Sequence, residues 1–184
     1  MVFGDSLSAA YGIPRDAGWV HLLGQRLAER GHPYRVVNAS VSGETTAGGR
    51  TRLPDLLKAH RPAIVILALG ANDGLRGLPV ADTVRNLETM IQLARKQGAT
   101  VLLVGLRLPP NYGGAYTRKF QAAFADVAKS TRVRLVPNLL AGVDDQRQHF
   151  QADGLHPDAT AQPVLRDNVW RQLAPLLKAP NARR

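Results

Sequence analysis

Apolar residues along this chain alternate between two patterns. Short runs at 2–3, 34–38, 63–69, 100–106 and 133–136 separate longer stretches whose apolar positions recur every three or four residues. The runs over 63–69 and 100–106 are apolar without interruption, which predicts parallel strands covered on both faces. Trp19, Leu22, Leu23 and Leu27 form one helical stripe, and Gly31 predicts its carboxyl-terminal cap. Val80, Val84, Leu87 and Ile91 form a second stripe closed by Gly98, and Tyr116, Phe120, Phe124 and Val127 form a third. Pro54 and Pro163 fall inside helical segments, so each predicts a kink or a fresh start. The alternation predicts an α/β fold, a doubly wound parallel sheet of about five strands inside a three-layer α/β/α sandwich. In such a sheet, chemistry gathers just beyond the carboxyl ends of the strands.

A length of 184 residues allows a full core as one domain over 1–184. No apolar run approaches the length of a membrane span. Cysteine is absent, which excludes a thiol nucleophile, a disulfide framework and thiolate metal sites but leaves the redox compartment open. The net charge is +10, yet the arginines are scattered and aromatic residues make up only 5%. Nucleic-acid binders carry clustered basic stripes with aromatic platforms, so no specific nucleic-acid partner is expected, only a weak pull toward anionic membrane surfaces or acidic substrates. No secretion signal is visible at Met1. A strand of Met1-Val2-Phe3 is short for a buried strand, so further strand residues are expected upstream, in a processed protein or one whose start is assigned late.

Polar clusters follow the predicted strands. Gly4-Asp5-Ser6-Leu7 comes after the first run, Ser40-Val41-Ser42-Gly43-Glu44-Thr45 after the second, and Gly70-Ala71-Asn72-Asp73 after the third. Asp153-Gly154-Leu155-His156-Pro157 comes after the last. A serine on a tight turn leaving a strand exposes both its hydroxyl and its N–H, although a Gly-Asp-Ser turn also serves as a simple helix cap. Acyl transfer by serine needs a base, an acid that orients the base, and donors for an oxyanion. His156 fits the base, with Asp153 on the same loop as its acid. Gly43 offers an unhindered N–H and Asn72 a side-chain amide, while each also reads as an ordinary turn or loop residue. His21, His32 and His60 lie in or beside helical segments, and His149 has no positioned acid. Asp73, Asp144, Asp145 and Asp158 read as loop or cap residues, with Asp158 placed to cap the last helix.

These four blocks, in this order, resemble those of the SGNH hydrolases, also called GDSL esterases/lipases, over nearly the whole chain. Val37-Asn38-Ala39-Ser40, Asn72-Asp73-Gly74-Leu75-Arg76-Gly77 and Arg107-Leu108-Pro109-Pro110-Asn111-Tyr112-Gly113 are similar to the bacterial thioesterase I/protease I/lysophospholipase L1 subgroup, which includes arylesterases. The resemblance implies a flavodoxin-like SGNH hydrolase fold with Ser6 as nucleophile, His156 as base and Asp153 as orienting acid. It implies an oxyanion hole of Ser6 N–H, Gly43 N–H and the Asn72 amide, with no metal or cofactor. It further implies a periplasmic or secreted enzyme, or a cytoplasmic one if Met1 is the true start. The short first strand is the one departure from the family pattern. The expected activity is two-step hydrolysis of carboxylic esters and acyl thioesters through an acyl-Ser6 intermediate. Leu75, Leu78, Pro79, Leu108, Pro109 and Tyr112 are expected to bind the acyl chain, and their apolar character favours acyl chains over sugars. The alternatives are a carbohydrate acetylesterase built on the same blocks and a non-catalytic module for anionic surfaces. A small acyl substrate and a monomeric state are expected.

Overall fold

The computed structural model describes residues 1–109 and 112–178. Four strands, β1 (Val2–Gly4), β2 (Ile64–Ala68), β3 (Thr100–Val104) and β4 (Arg134–Val136), pair in that order and all in parallel. One register crosses the sheet: Val2 stands opposite Ile66, Ile66 opposite Leu102, and Leu102 opposite Arg134. Between the strands run α1 (Trp19–Glu29), α2 (Thr46–His60), α3 (Ala71–Leu75), α4 (Val80–Lys96), α5 (Gly114–Thr131) and α6 (Gln162–Leu173).

Successive strand residues point to opposite faces, so each strand feeds two cores. Val2, Ile66, Leu102, Val104 and Val136 pack with Trp19 and Leu23 of α1 and with Leu165 and Val169 of α6. Phe3, Val65, Leu67 and Leu103 pack on the other face with Leu53 of α2, Leu87 of α4, and Phe120 and Phe124 of α5. Burial on both faces explains the uninterrupted apolar runs. Leu102 and Phe120 are fully buried, and each such side chain contributes about 1.5–3 kcal/mol.

The expected strand over 34–38 does not form. Only Asn38 bridges to Val2, supported by bonds from Val2 N–H to Val37 O (2.8 Å), Ala39 N–H to Val2 O (2.9 Å) and Val41 N–H to Gly4 O (3.0 Å). The main chain lies beside β1 only from Val37 to Val41, not over 34–36. A cavity of about 220 Å³ opens there instead, at the amino-terminal edge of the sheet, lined by Leu23, Leu27, Val36, Ile64 and Leu173 among others. The Met1 ammonium donates to Ile64 O at 2.8 Å, and burial lowers its pKa to about 6.

The helix ends follow local chemistry. Gly31 and Gly98 close α1 and α4 as predicted: His32 N–H reaches Leu27 O and Ala99 N–H reaches Ala94 O, satisfying carbonyls of the last turns. Pro163 lies in the first turn of α6, a fresh start as expected. Pro54, by contrast, lies inside an unbroken α2, where buried Leu53 and Leu57 flank it and anchor both sides of the helix to the core. Asp158 acts one turn earlier than expected. Its carboxylate accepts the Thr160 and Ala161 N–H groups, holding the turn that leads into α6 rather than capping the helix itself.

Candidate active site

Ser6 stands just past the end of β1 on a turn fixed from several directions. Asp5 is 1% exposed, and its carboxylate accepts the Leu7 N–H (3.0 Å) while its carbonyl accepts the N–H groups of Ser8 and Ala9. The Trp19 indole donates to Leu7 O (3.0 Å), and the Asn38 amide donates to Ser8 O (2.8 Å). Gly4 is required here, because a Cβ would lie 2.8 Å from Ser8 Oγ and 3.0 Å from Ala68 O. Burial pushes the Asp5 carboxyl up to about 7; the Leu7 N–H opposes this, and the charges of Asp73 and Glu44 add to it.

The base and acid arrive on the loop between β4 and α6. His156 Nε2 lies 2.8 Å from Ser6 Oγ, and His156 Nδ1 lies 2.7 Å from Asp153 Oδ2. The other Asp153 oxygen accepts the N–H groups of Leu155 (2.9 Å) and His156 (3.0 Å). The His156 and Leu155 N–H groups, together with the imidazole, hold the Asp153 carboxyl down at about 2. An ionised carboxylate only accepts, so Nδ1 carries the imidazole proton and Nε2 is left to accept the Ser6 hydroxyl.

The loop is braced from below and from the side. The Arg147 guanidinium donates to the carbonyls of Phe150, Gln151 and Ala152, at 3.1, 2.7 and 3.0 Å. Gln151 N–H reaches His156 O (2.8 Å), and the Gln151 amide reaches Tyr11 O (2.8 Å). The Tyr11 ring lies against the imidazole, with centroids 4.5 Å apart. His149 points elsewhere, its Nδ1 on Thr160 Oγ1 at 2.8 Å.

Two further elements face the same edge. Gly43 sits at φ +79° in an exposed turn where a Cβ would meet nothing within 4 Å. Among the described residues, neither the Gly43 N–H nor the Ser6 N–H has an acceptor. Asn72, in the first turn of α3, donates one amide hydrogen to Glu44 O (2.9 Å) and keeps the second. Arg76, just past the end of α3, donates to Gly43 O (3.2 Å), so α3 and its cap hold two successive carbonyls, those of Gly43 and Glu44. Asp73 is no simple loop acid. It is buried, and accepts the Thr46 N–H (2.8 Å), the Thr46 hydroxyl and the Thr83 hydroxyl, while the Asn86 amide donates to Thr46 Oγ1 (3.1 Å). This network locks the start of α2 to α3 and α4. Its members are distant in sequence, so no local spacing announces it.

The residues expected along the acyl chain divide. Leu75, Leu78, Pro109 and Tyr112 are half-buried and Pro79 is exposed. Leu108 belongs to the core instead: it is 8% exposed and so close to Gly74 that a Cβ there would lie 2.7 Å from Leu108 Cδ2. It packs in the second core, beside Gly74 and Phe120. Pro110 and Asn111 lie outside the described residues. None of Ser6, Gly43, Asn72, Asp153 or His156 lines the large cavity at the opposite edge of the sheet.

A half-exposed hydroxyl–imidazole–carboxylate chain at the carboxyl edge of a parallel α/β sheet is the arrangement of a serine hydrolase. The chain belongs to the GDSL-like lipase/acylhydrolase family, whose model matches residues 2–162. It is 52% identical to an esterase, TesA, of Pseudomonas aeruginosa, over 96% of this chain and 88% of that one. It is 41% identical to thioesterase 1/protease 1/lysophospholipase L1 of Escherichia coli, over 96% of this chain and 84% of that one. A crystal structure of TesA superposes with a TM-score of 0.94, at 52% identity over 96% of this chain and 98% of that one. The psychrotrophic esterase EstA from Pseudoalteromonas sp., in a structure inhibited by monoethylphosphonate, superposes at 0.90, with 35% identity over 95% of this chain and 96% of that one. The chain is accordingly an ester-hydrolysing enzyme acting on small acyl substrates. Among the described residues, no helix is long and apolar enough to cross a membrane.

Proposed function

We propose that this enzyme hydrolyses carboxylic esters and acyl thioesters in two steps through an acyl-Ser6 intermediate. The supporting observation is the continuous chain from Ser6 Oγ to His156 Nε2 (2.8 Å) and from His156 Nδ1 to Asp153 (2.7 Å). His156 takes the Ser6 proton as Oγ attacks the acyl carbon, and the carbonyl oxygen becomes an oxyanion. The Ser6 N–H, the Gly43 N–H and the free Asn72 amide hydrogen receive that charge. Collapse breaks the bond to the leaving alcohol or thiol, which takes the proton from His156. Water then attacks the acyl-Ser6 ester, giving its proton to the same imidazole, and the second collapse releases the acid and restores the Ser6 hydroxyl.

The half-buried Leu75 and Leu78 with Pro79, Pro109 and Tyr112 form the wall along the acyl chain. The scattered basic surface supports a diffusible monomeric enzyme with at most weak contact to anionic membranes, and the family resemblance supports a periplasmic or secreted location.

A fluorophosphonate probe tests the assignment. It is expected to label the wild type stoichiometrically and to leave Ser6→Ala unlabelled. Labelling that survives the substitution would falsify it.

A further inference from the structure

Among the described residues the exposed large hydrophobic side chains are Tyr11, Val41 and Leu155, at 51%, 47% and 40% exposure. Single exposed apolar residues need no explanation, but three around one reactive pair do. Tyr11 follows the Ser6 turn, Val41 precedes the Gly43 turn, and Leu155 adjoins His156. None of them belongs to the acyl wall.

We propose that Tyr11, together with Leu155 next to His156 in the chain, forms the leaving-group subsite and is the residue that selects among alcohols, aromatic ones stacking on its ring. This rests on the mechanism above. His156 Nε2 must return its proton to the leaving-group oxygen, so that oxygen comes within about 3 Å of the same nitrogen that faces Ser6 Oγ in the resting enzyme. The carbonyl oxygen turns toward Gly43 and Asn72, and the acyl chain toward the 75–79 segment. The leaving group is left the imidazole side.

Tyr11 flanks the imidazole there, with centroids 4.5 Å apart and planes tilted by 40°. Its position is set by both halves of the reactive pair. Its N–H points to Ser6 O (3.4 Å), and its carbonyl accepts the Gln151 amide (2.8 Å) from the loop that carries His156. The backbone of Tyr11 is thus tied to both halves of the pair, while its side chain packs on the imidazole and stays half exposed, leaving a surface for an aromatic ligand.

The test compares phenyl butyrate with ethyl butyrate, which share an acyl group and therefore share the acyl-enzyme. Tyr11→Ala is expected to lower the phenyl-to-ethyl ratio of kcat/KM about two- to tenfold relative to wild type, the range of one aromatic contact. Tyr11→Phe is expected to keep the ratio, and Leu155→Ala to lower it in the same direction. If Tyr11→Ala does not fold, Tyr11→Leu, which keeps apolar bulk without the ring, carries the same comparison. Equal losses for both esters would reduce Tyr11 to a prop for the imidazole and overturn the proposal. A changed acyl-length preference at constant leaving group, with the phenyl-to-ethyl ratio intact, would overturn it by moving the ring to the acyl site. If wild type turned over neither ester, or the fluorophosphonate labelled a residue other than Ser6, the mechanism itself would fall, a result distinct from either of these.

Discussion

Replacing Asp153 by asparagine should damage the enzyme more than replacing it by alanine, although asparagine keeps the shape. Asp153 has two jobs on its two oxygens: one accepts the Leu155 and His156 N–H groups, and the other accepts from His156 Nδ1. An asparagine must keep its carbonyl oxygen on the two backbone donors, because its NH₂ there would face two N–H groups. The NH₂ then faces Nδ1, which can only accept, so the imidazole proton moves to Nε2. In that tautomer His156 cannot take the Ser6 proton. An amide that fixes the wrong tautomer in a Ser-His-Asp site costs on the order of 10⁴ in kcat.

Alanine removes the charge without imposing a tautomer. Two unit charges about 4 Å apart attract by about 1 kcal/mol in water and about 4 kcal/mol at an effective dielectric of 20. The Asp153 and His156 side chains are 39% and 22% exposed, which places the pair toward the weaker limit. A loss of about 1–3 kcal/mol, or roughly 10- to 100-fold in kcat, is expected for Asp153→Ala. The assay is kcat and KM on p-nitrophenyl butyrate at neutral pH for both variants, with thermal melts to show that the loop substitution leaves the fold intact. An alanine variant as inactive as the asparagine one, or an asparagine variant within tenfold of wild type, would refute the reasoning. Because the Asp153 pKa is about 2, its stabilising contribution is present above the unfolded value of 3.8 and is lost only as pH falls through about 2. No limb of the wild-type pH–rate profile near neutrality therefore belongs to Asp153.

Asn72→Ala should lower kcat by about 10²–10³, or roughly 2.7–4 kcal/mol, with little change in KM; a normal kcat would leave Asn72 as a turn residue. Replacing Leu75 and Leu78 together by alanine should reduce kcat/KM for octanoyl esters more than for acetyl esters, by at most about 0.8 kcal/mol per lost buried methylene contact, and equal losses would remove the segment from the acyl site. Asp5 has its folded pKa raised from 3.8 to about 7, so the folded state binds the extra proton and stability declines as pH rises from about 4 to about 7. Asp5→Asn keeps an acceptor for the Leu7 N–H and should flatten that decline, by up to about 4 kcal/mol in the unfolding free energy above pH 7; parallel melting curves from pH 5 to pH 8 for the two proteins would count against the shift.

The strands and the residues of the hydrogen-bonded chain were legible for different reasons. β2 and β3 announce themselves because two helical layers cover them, so nothing polar interrupts their runs. The segment 34–38 misleads because Tyr34 and Val36 do pack against the first core, yet have no strand to pair with. Apolar pattern reports burial, not hydrogen-bond partnership. Ser6, Asp153 and His156 were legible because a strand edge and a three-residue spacing confine them. Leu108 was not, since a leucine in a loop reads the same whether it faces a ligand or Phe120. Tyr11 was missed because its contact with His156 joins opposite ends of the chain, and only the fold brings them together.

The carboxyl groups beneath the site show why its electrostatics could not be read residue by residue. Asp5, Glu44 and Asp73 lie close enough for the last two to raise the first. Three negative charges so close together would repel one another. Each is handled differently. Glu44 pairs with Arg52 at 2.8 Å, and Asp73 is surrounded by the Thr46 N–H and the hydroxyls of Thr46 and Thr83. Asp5 is buried with the Leu7 N–H on its side chain, and burial, with the charges of Asp73 and Glu44 added, raises its proton affinity toward neutrality. A proton on Asp5 removes one of these negative charges while the carboxyl keeps its bond from the Leu7 N–H, which shapes the Ser6 turn. The same aspartate that marks the motif in the sequence therefore acts through burial as much as through its hydrogen bond.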